Sequence, residues 1–270
     1  GPRPARGPDQ HPPRIVEGVR NRFIRKDGRR AGGETERHAQ RDEEFSALLV
    51  LCESLMQFDF GERHERVTKR LMELAVNPLE RAQARHVRAE LLNMLEHAED
   101  ALSVGREGLR EAQSAGDEPL QAQLHGDIGI SLWTLERLGE AHTELAKALE
   151  FTQRGDDPLE TAVALTNLAV VLDHLDRPRE AIVFHNRAVA LFEQNADQLQ
   201  LATALSNLAV SLAELGLMRS SLPVLQRAVA IFDQLQGADL HHFGTLVTLA
   251  CTERDINQCA GSFPVCPKFS

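Results

Sequence analysis

The sequence predicts an all-α protein in which antiparallel helix pairs stack on one another as an α-solenoid. Three observations predict this fold class: a sequence period of 40 residues, apolar residues three and four positions apart within each period, and capping residues between the apolar stretches. A fixed period of roughly 20 to 50 residues is typical of stacked-repeat architectures. The three- and four-residue spacing places the apolar side chains on one face of a helix.

The 40-residue period is visible in four columns of equivalent positions. Three columns hold small residues and one holds leucine: Ala89, Gly129, Ala169 and Ala209; Leu92, Leu132, Leu172 and Leu212; Ala101, Ala141, Ala181 and Ser221; Gly108, Ala148, Ala188 and Ala228. Small residues that recur at fixed positions predict the places where two helices approach closely.

Turn and capping residues mark the helix boundaries. Gly116, Gly155 and Asn195 stand where a helix ends in the left-handed conformation, which glycine and asparagine tolerate. Proline after an acidic or amide cap then begins the next helix. The first helices are predicted at 78–96, 119–136, 158–175 and 198–215, and the second helices at 98–114, 139–154, 178–194 and 218–236.

Composition divides the chain into three parts. Residues 1–40 carry 10 Lys and Arg against 5 Asp and Glu, whereas the remainder carries 20 against 35. We predict a disordered basic segment at 1–40, a solenoid at 41–253 and an irregular tail at 254–270. Within the solenoid, four clear repeats cover about 78–236, a weaker unit covers 42–76, and half a repeat covers 240–253.

The repeat residues resemble the tetratricopeptide repeat family. Its signature places a leucine and a small residue in the first helix and two alanines seven apart in the second, as in Leu168-Ala169 with Ala181 and Ala188. Two further repeats match the signature: Ile128-Gly129 is followed by Ala141 and Ala148, and Leu208-Ala209 is followed by Ser221 and Ala228. The period is similar to that of the long-helix variety in kinesin light chain and bacterial peptide-sensing regulators. Leucine occupies the usual tyrosine column, since the chain contains no tyrosine.

The resemblance implies a right-handed superhelical α-solenoid whose first helices line a concave groove for a peptide or protein partner. In the family, the column just before the leucine and small residue most often contacts the ligand, and here it holds Asp127, Asn167 and Asn207. The same face is expected to carry further residues: Glu90, Trp133, Thr166, Val170, Asp173, Ser206, Val210 and Glu214.

Two alternatives stay open for these residues. The asparagines either hydrogen-bond a peptide backbone, since an amide both donates and accepts, or remain solvated or bonded within the scaffold. Trp133 is either a groove anchor or buried between repeats. Members of the family that bind the C-terminal carboxylate of a peptide use Lys and Arg beside the asparagine column. The predicted groove has acidic residues instead, so a ligand bound by its C-terminal carboxylate is disfavoured.

Enzyme chemistry is not predicted. The sequence has no phosphate-binding Gly-x-x-x-x-Gly-Lys loop, no Gly-x-Gly-x-x-Gly motif and no His-Glu-x-x-His zinc helix. We therefore expect no catalytic residues, no cofactor and no metal site. The basic cluster between Arg20 and Arg30 has only Phe23 as an interleaved aromatic residue, so specific nucleic-acid binding is not expected.

The predicted function is a scaffold or adaptor that binds a protein or peptide in the groove. The alternative is a sensory module of a larger signalling protein, either a transcription regulator or a cyclic-nucleotide enzyme. Four cysteines without a disulfide framework favour the cytoplasm. No apolar run is long enough for a membrane span. An uncapped C-terminal repeat favours self-association.

Overall fold

A computed structural model describes residues 33–55, 61–235 and 239–261. These residues form eleven helices and no strand, which confirms the all-α prediction. In chain order the helices are α1 Gly33–Leu55, α2 Glu62–Leu74, α3 Pro78–Met94, α4 Ala98–Ala115, α5 Glu118–Thr134, α6 Leu138–Gly155, α7 Pro158–His174, α8 Pro178–Asn195, α9 Gln198–Glu214, α10 Met218–Phe232 and α11 Asp239–Gly261.

The chain divides into two compact units, Gly1–Glu44 and Phe45–Ser270. The described part of the first unit is the polar beginning of α1, where residues 37–40 are exposed. The sequence predicted disorder up to residue 40, whereas α1 begins at Gly33. Glutamate, arginine, alanine and glutamine dominate this stretch, and their intrinsic helix propensity is high. Residues 1–32, which complete the predicted basic segment, lie outside the described residues.

The second unit is a stack of helix pairs, so the predicted α-solenoid is confirmed. Helix α3 packs on α4, α5 on α6, α7 on α8, and α9 on α10, and each second helix packs on the first helix of the next repeat. Consecutive first helices also contact one another from α3 to α11. Among the described helices, no two second helices are in contact. The first helices are therefore spaced more closely, as the inner layer of a curved stack requires.

The small-residue columns lie where the sequence predicted close helix packing. Ala89, Ala169 and Ala209 have no exposed surface. At Gly129, an added Cβ atom would lie 2.5 Å from Cγ of Leu145, and at Gly108 it would lie 2.8 Å from Cδ2 of Leu124. Both distances are shorter than a van der Waals contact, so glycine permits the helix spacing at these two positions.

Helix starts are capped as the sequence predicted. The side chains of Asn77, Asp117, Asp157 and Asp197 each accept a hydrogen bond from a backbone N–H group two or three residues further on. These four positions repeat every 40 residues. A cap of this kind typically stabilises a helix by about 1 kcal/mol.

The left-handed residues after the second helices differ in part from the prediction. Gly116 is left-handed as expected, but the next two are Asp156 and Ala196 rather than Gly155 and Asn195. The helix pairs repeat every 40 residues, so the turn falls at the same register in each repeat even where no glycine occupies it. Tertiary packing overrides the local preference of a single residue at these two positions.

The C-terminal boundary also differs from the prediction. Helix α11 continues to Gly261, beyond residue 253, where the sequence predicted an irregular tail. No proline interrupts residues 239–261, so a continued helix meets no steric obstacle. Residues 262–270 lie outside the described residues. None of the described helices combines the length and apolar character that crossing a membrane requires.

Candidate functional site

A pocket of about 580 Å³ opens between the first helices of three consecutive repeats. Helices α3, α5 and α7 supply most of its lining, and residues of α6 and α9 complete it: Leu145, Ala148, Thr152 and Gln200. We call it the acidic pocket. The polar residues that line it are His86, Glu90, Asn93, Gln123, Asp127, Thr152, Glu160, Asn167 and Gln200.

A histidine and an aspartate form an ion pair across two repeats in this pocket. Nδ1 of His86 on α3 lies 2.7 Å from Oδ2 of Asp127 on α5. Burial alone lowers the pKa of His86, but the carboxylates of Asp127, Glu90 and Glu160 outweigh it and raise the pKa to about 9. His86 is therefore protonated at neutral pH, and its charge stabilises the contact between the two repeats.

This ion pair predicts a loss of stability in alkaline solution. The folded-state pKa of His86, about 9, exceeds the ordinary value of 6.5. The stabilisation is thus complete below pH 6.5 and is lost as the pH rises through about 9. Between pH 6.5 and 10 we expect the free energy of unfolding to fall by about 2–3 kcal/mol more in the unmodified protein than in His86→Gln. Urea denaturation followed by circular dichroism measures the difference.

The control for this experiment is His97→Gln, because His97 is exposed and precedes α4 without a side-chain capping bond. Its pH profile should follow that of the unmodified protein. If the profile of His86→Gln followed it as well, the ion pair would contribute nothing to stability.

A second pocket of about 730 Å³ adjoins the first, and we call it the tryptophan pocket. The ring of Trp133 lies 5.4 Å from the ring of His174 in the next repeat. Asn93, Met94 and Ile130 line both pockets and form the wall between them.

The wall between the pockets is held by hydrogen bonds. Nδ2 of Asn93 donates to the carbonyl oxygen of Asp127 at 3.1 Å. Oδ1 of Asn93 accepts from Oγ of Ser131 at 2.8 Å. Both ends of the Asn93 amide are bonded to the scaffold, so this residue positions the wall.

Four of the predicted groove residues line these pockets. Glu90, Asp127 and Asn167 lie in the acidic pocket, and half-buried Trp133 lies in the tryptophan pocket. Among the described residues, the Asn167 side chain has no hydrogen-bond partner, which leaves its amide available to a ligand.

Two other predicted groove residues are bonded between repeats. Oδ2 of Asp173 accepts from Oγ of Ser211 at 2.7 Å and lies 3.3 Å from Nε2 of His185. Oγ of Ser206 lies 2.9 Å from Oγ1 of Thr245 on α11. The structure therefore gives Asp173 and Ser206 a part in joining neighbouring repeats.

The remaining predicted residues lie along the first helices. Thr166 donates to the carbonyl oxygen of Ala162 in its own helix, at 3.0 Å. Val170 and Asn207 are half-buried, and Val210 is exposed. The pKa of Glu214 is raised. The larger cause is partial burial of its carboxyl group, and the second is the negative charge of Asp173.

Sequence reasoning missed several lining residues: His86, Asn93, Gln123, Glu160 and His174. The period itself contained a signal for two of them. His86 lies two repeats before Thr166 in the same column, and Asn93 lies one repeat before Trp133 and two before Asp173. No group of three or more metal-ligating side chains occurs within the described ranges.

Residues 120–194 match the family of tetratricopeptide repeats. This part of the chain carries tetratricopeptide repeats. The match covers α5 to α8, and the helix pairs before and after it repeat the same 40-residue columns. No curated protein has a matching sequence.

Three solved structures are similar to this stack of helix pairs. BtubC (BKLC) from P. vanneervenii is 21% identical over 83% of this chain and 89% of its own, with a TM-score of 0.62. NprR in complex with its cognate peptide NprX is 16% identical over 91% and 68%, with a TM-score of 0.63. A Rap protein complexed with Competence and Sporulation Factor is 14% identical over 80% and 76%, with a TM-score of 0.59. At these identities the likeness concerns the fold.

Proposed function

We propose that this tetratricopeptide repeat protein binds a peptide or an extended protein segment along its first helices, as a scaffold or adaptor. The observation that carries this proposal is the acidic pocket, in which three consecutive first helices present polar side chains to one space of about 580 Å³. A partner that lies there contacts three repeats at once.

Asn167 and Asn207 are proposed to hold the backbone of the ligand. They occupy the same position in α7 and α9, and neither side chain has a hydrogen-bond partner among the described residues. An amide donates to a peptide carbonyl and accepts from a peptide N–H, so it recognises backbone regardless of sequence. NprR, a similar array of helix pairs, has been solved in complex with its cognate peptide NprX, which supports peptide binding by this fold in general.

The described cysteines fit the proposed setting. Cys52 is buried, and the exposed Cys251 forms no disulfide within the described residues. Free thiols are usual in a reducing compartment, so we place the proposed activity in the cytoplasm.

Replacing Asn167 and Asn207 together with alanine is expected to weaken peptide binding by about tenfold. Each lost hydrogen bond contributes about 0.5–1.5 kcal/mol, and 1.4 kcal/mol is a factor of ten in affinity. The ligand is first selected from an immobilised library of acetylated and amidated heptapeptides. Its affinity is then measured with the full chain by fluorescence anisotropy.

The matched control is the double variant Asn186→Ala and Asn195→Ala. These two asparagines are exposed on the second helix α8, where they donate to carbonyl oxygens of their own helix. The control should bind like the unmodified protein. Equal affinities for the two double variants would contradict the proposed role of Asn167 and Asn207, and a library without any bound peptide would contradict the proposed function.

A further inference from the structure

Helix α11 carries a row of exposed apolar side chains. Phe243 is 67% exposed, Val247 47% and Leu246 40%, and Phe243 is the most exposed of the large apolar side chains that the structure describes. Ala250 is also exposed and continues the row by one turn. The spacing of three, one and three residues places the four side chains on one face of the helix. We call this row the α11 face.

The repeat places Leu246 at a position where a first helix contacts the next first helix. Ser206 stands one period before Leu246, and its hydroxyl oxygen lies 2.9 Å from that of Thr245 on α11. His86 stands four periods before Leu246, and its ring is paired with Asp127 on α5. Ser206 and His86 are half-buried, since the following first helix partly covers them.

Phe243 occupies a second position of this kind. Three periods earlier stands Gln123, which donates a hydrogen bond from α5 to Glu160 on α7. Where these earlier residues bond to the next first helix, α11 presents phenylalanine and leucine to solvent. Among the described helices, none follows α11 in the stack. The α11 face therefore continues the surface on which first helices stack, and it offers apolar packing to a further helix.

We propose that the α11 face binds the α11 face of a second copy of this protein, so that the two helices pack antiparallel about a two-fold axis. The surface on which first helices stack within one chain then continues with a first helix of the other. A two-fold contact needs a single patch that is complementary to itself. Removal of the exposed phenylalanine, leucine and valine side chains from water drives the association.

The order of side chains in the α11 face suits an antiparallel pair. With the two-fold axis between residues 246 and 247, Phe243 lies against Ala250 of the second copy. Leu246 then lies against Val247 of the second copy. A large side chain meets a small one at each end of the row, which lets the two helices approach closely. Residues 253–255, which follow the row, are all charged, so polar groups border the apolar contact.

Helix α1 is a poorer partner for the α11 face. Of the large apolar side chains of α1, Val50 alone is mainly exposed. Residues 37–40 and 42–43 are exposed as well, and most of them are polar or charged. Burial of polar groups without partners opposes association. A contact between α11 of one copy and α1 of the next would also be heterologous and would build assemblies larger than a dimer.

The dimer is expected to be weak, because one face of one helix is small beside the roughly 800 Å² per partner of a standard interface. We expect a dissociation constant on the order of 10 μM. Sedimentation velocity of the full chain, from about 1 to about 200 μM, measures it. The sedimentation coefficient should rise from that of a monomer to that of a dimer and no further.

The double variant Phe243→Ser and Val247→Ser removes two apolar side chains from the α11 face. Both are largely exposed, so the fold should persist, as circular dichroism verifies. The dissociation constant should rise at least tenfold. The matched control is Val76→Ser with Val183→Ser, which removes valines that are 61% and 58% exposed elsewhere in the chain and should dimerise like the unmodified protein. Equal dimerisation of the two double variants would overturn the proposal.

Two single variants test the antiparallel pairing. Leu246→Glu and Val247→Lys should each weaken dimerisation at least tenfold, because each places a charge in the apolar contact. An equimolar mixture of the two variants should restore the dimer. In the mixed pair the new carboxylate faces the new ammonium group, and the unmodified Val247 faces the unmodified Leu246. A mixture that associates no better than either variant alone would overturn the two-fold pairing.

The dimer and the proposed function are tested separately. No described residue of α11 lines the acidic pocket, so peptide binding there does not depend on the dimer. A full chain that stays monomeric over the whole concentration range would overturn the dimer and leave peptide binding standing. Assemblies that grow beyond a dimer would also overturn it, since they would indicate a heterologous contact.

Discussion

Replacement of Phe192 by alanine is expected to lower the free energy of unfolding by about 3–5 kcal/mol. Phe192 on α8 has no exposed surface and belongs to the main core cluster, which extends from α4 to α10. Loss of the ring removes its burial energy and leaves a cavity that the surrounding helices close only in part. Urea denaturation followed by circular dichroism measures the change.

Val183→Ala is the control for Phe192, because it also shortens an apolar side chain of α8. Val183 is 58% exposed, so its replacement should change stability by less than about 0.5 kcal/mol. Similar losses for both variants would show that the core around Phe192 is not packed as the structure describes.

Asp173→Ala is expected to cost about 2–3 kcal/mol. The carboxylate accepts a hydrogen bond from Ser211 and faces Nε2 of His185, whose side chain has no exposed surface. Among the described atoms, Nδ1 of His185 already has no partner. The variant therefore leaves both ring nitrogens buried without a hydrogen bond. A buried polar group without a partner lowers the stability of the folded state by its full desolvation free energy. The same denaturation experiment measures the cost.

A second replacement should restore most of this loss. The equivalents of Asp173 and His185 in the next repeat are Ala213 and Leu225, and Leu225 is fully buried. The double variant Asp173→Ala and His185→Leu reproduces that apolar pair, and replacing both polar partners together is often nearly neutral. If the double variant were as unstable as Asp173→Ala alone, the unpaired imidazole would not be the cause of the loss.

The repeat architecture followed from the sequence because every level of the pattern agrees with it. The Leu-Ala steps at 168–169 and 208–209, the caps at Asp157 and Asp197, and the small residues at 181 and 188 all indicate the same helix pair. Consistency between capping, periodicity and packing is what makes a fold predictable. Helix starts were accordingly predicted within one residue in the four clear repeats.

The candidate site was less predictable, because its partners are about one repeat apart in the chain. His86 pairs with Asp127, and Asn93 bonds to Ser131. A pattern within one helix or one turn does not show which residues of neighbouring repeats come into contact. Asp173 illustrates the opposite case. Its place in the repeat predicted that it faces the groove. In the structure its carboxylate accepts a hydrogen bond from Ser211 and lies beside the ring of His185. Which polar residues face a ligand and which join two repeats depends on the geometry of neighbouring helices.

The sequence by itself determined the helix pairs, their 40-residue period and their small-residue contacts, because these depend on capping and on residues close together in the chain. Only the tertiary structure decided that Glu90, Asp127 and Glu160 surround one pocket and that Trp133 borders a second. The physical reason is that each of these residues comes from a different turn or repeat. Their proximity arises from the rotation of one helix pair against the next, which the packing of all the repeats sets together.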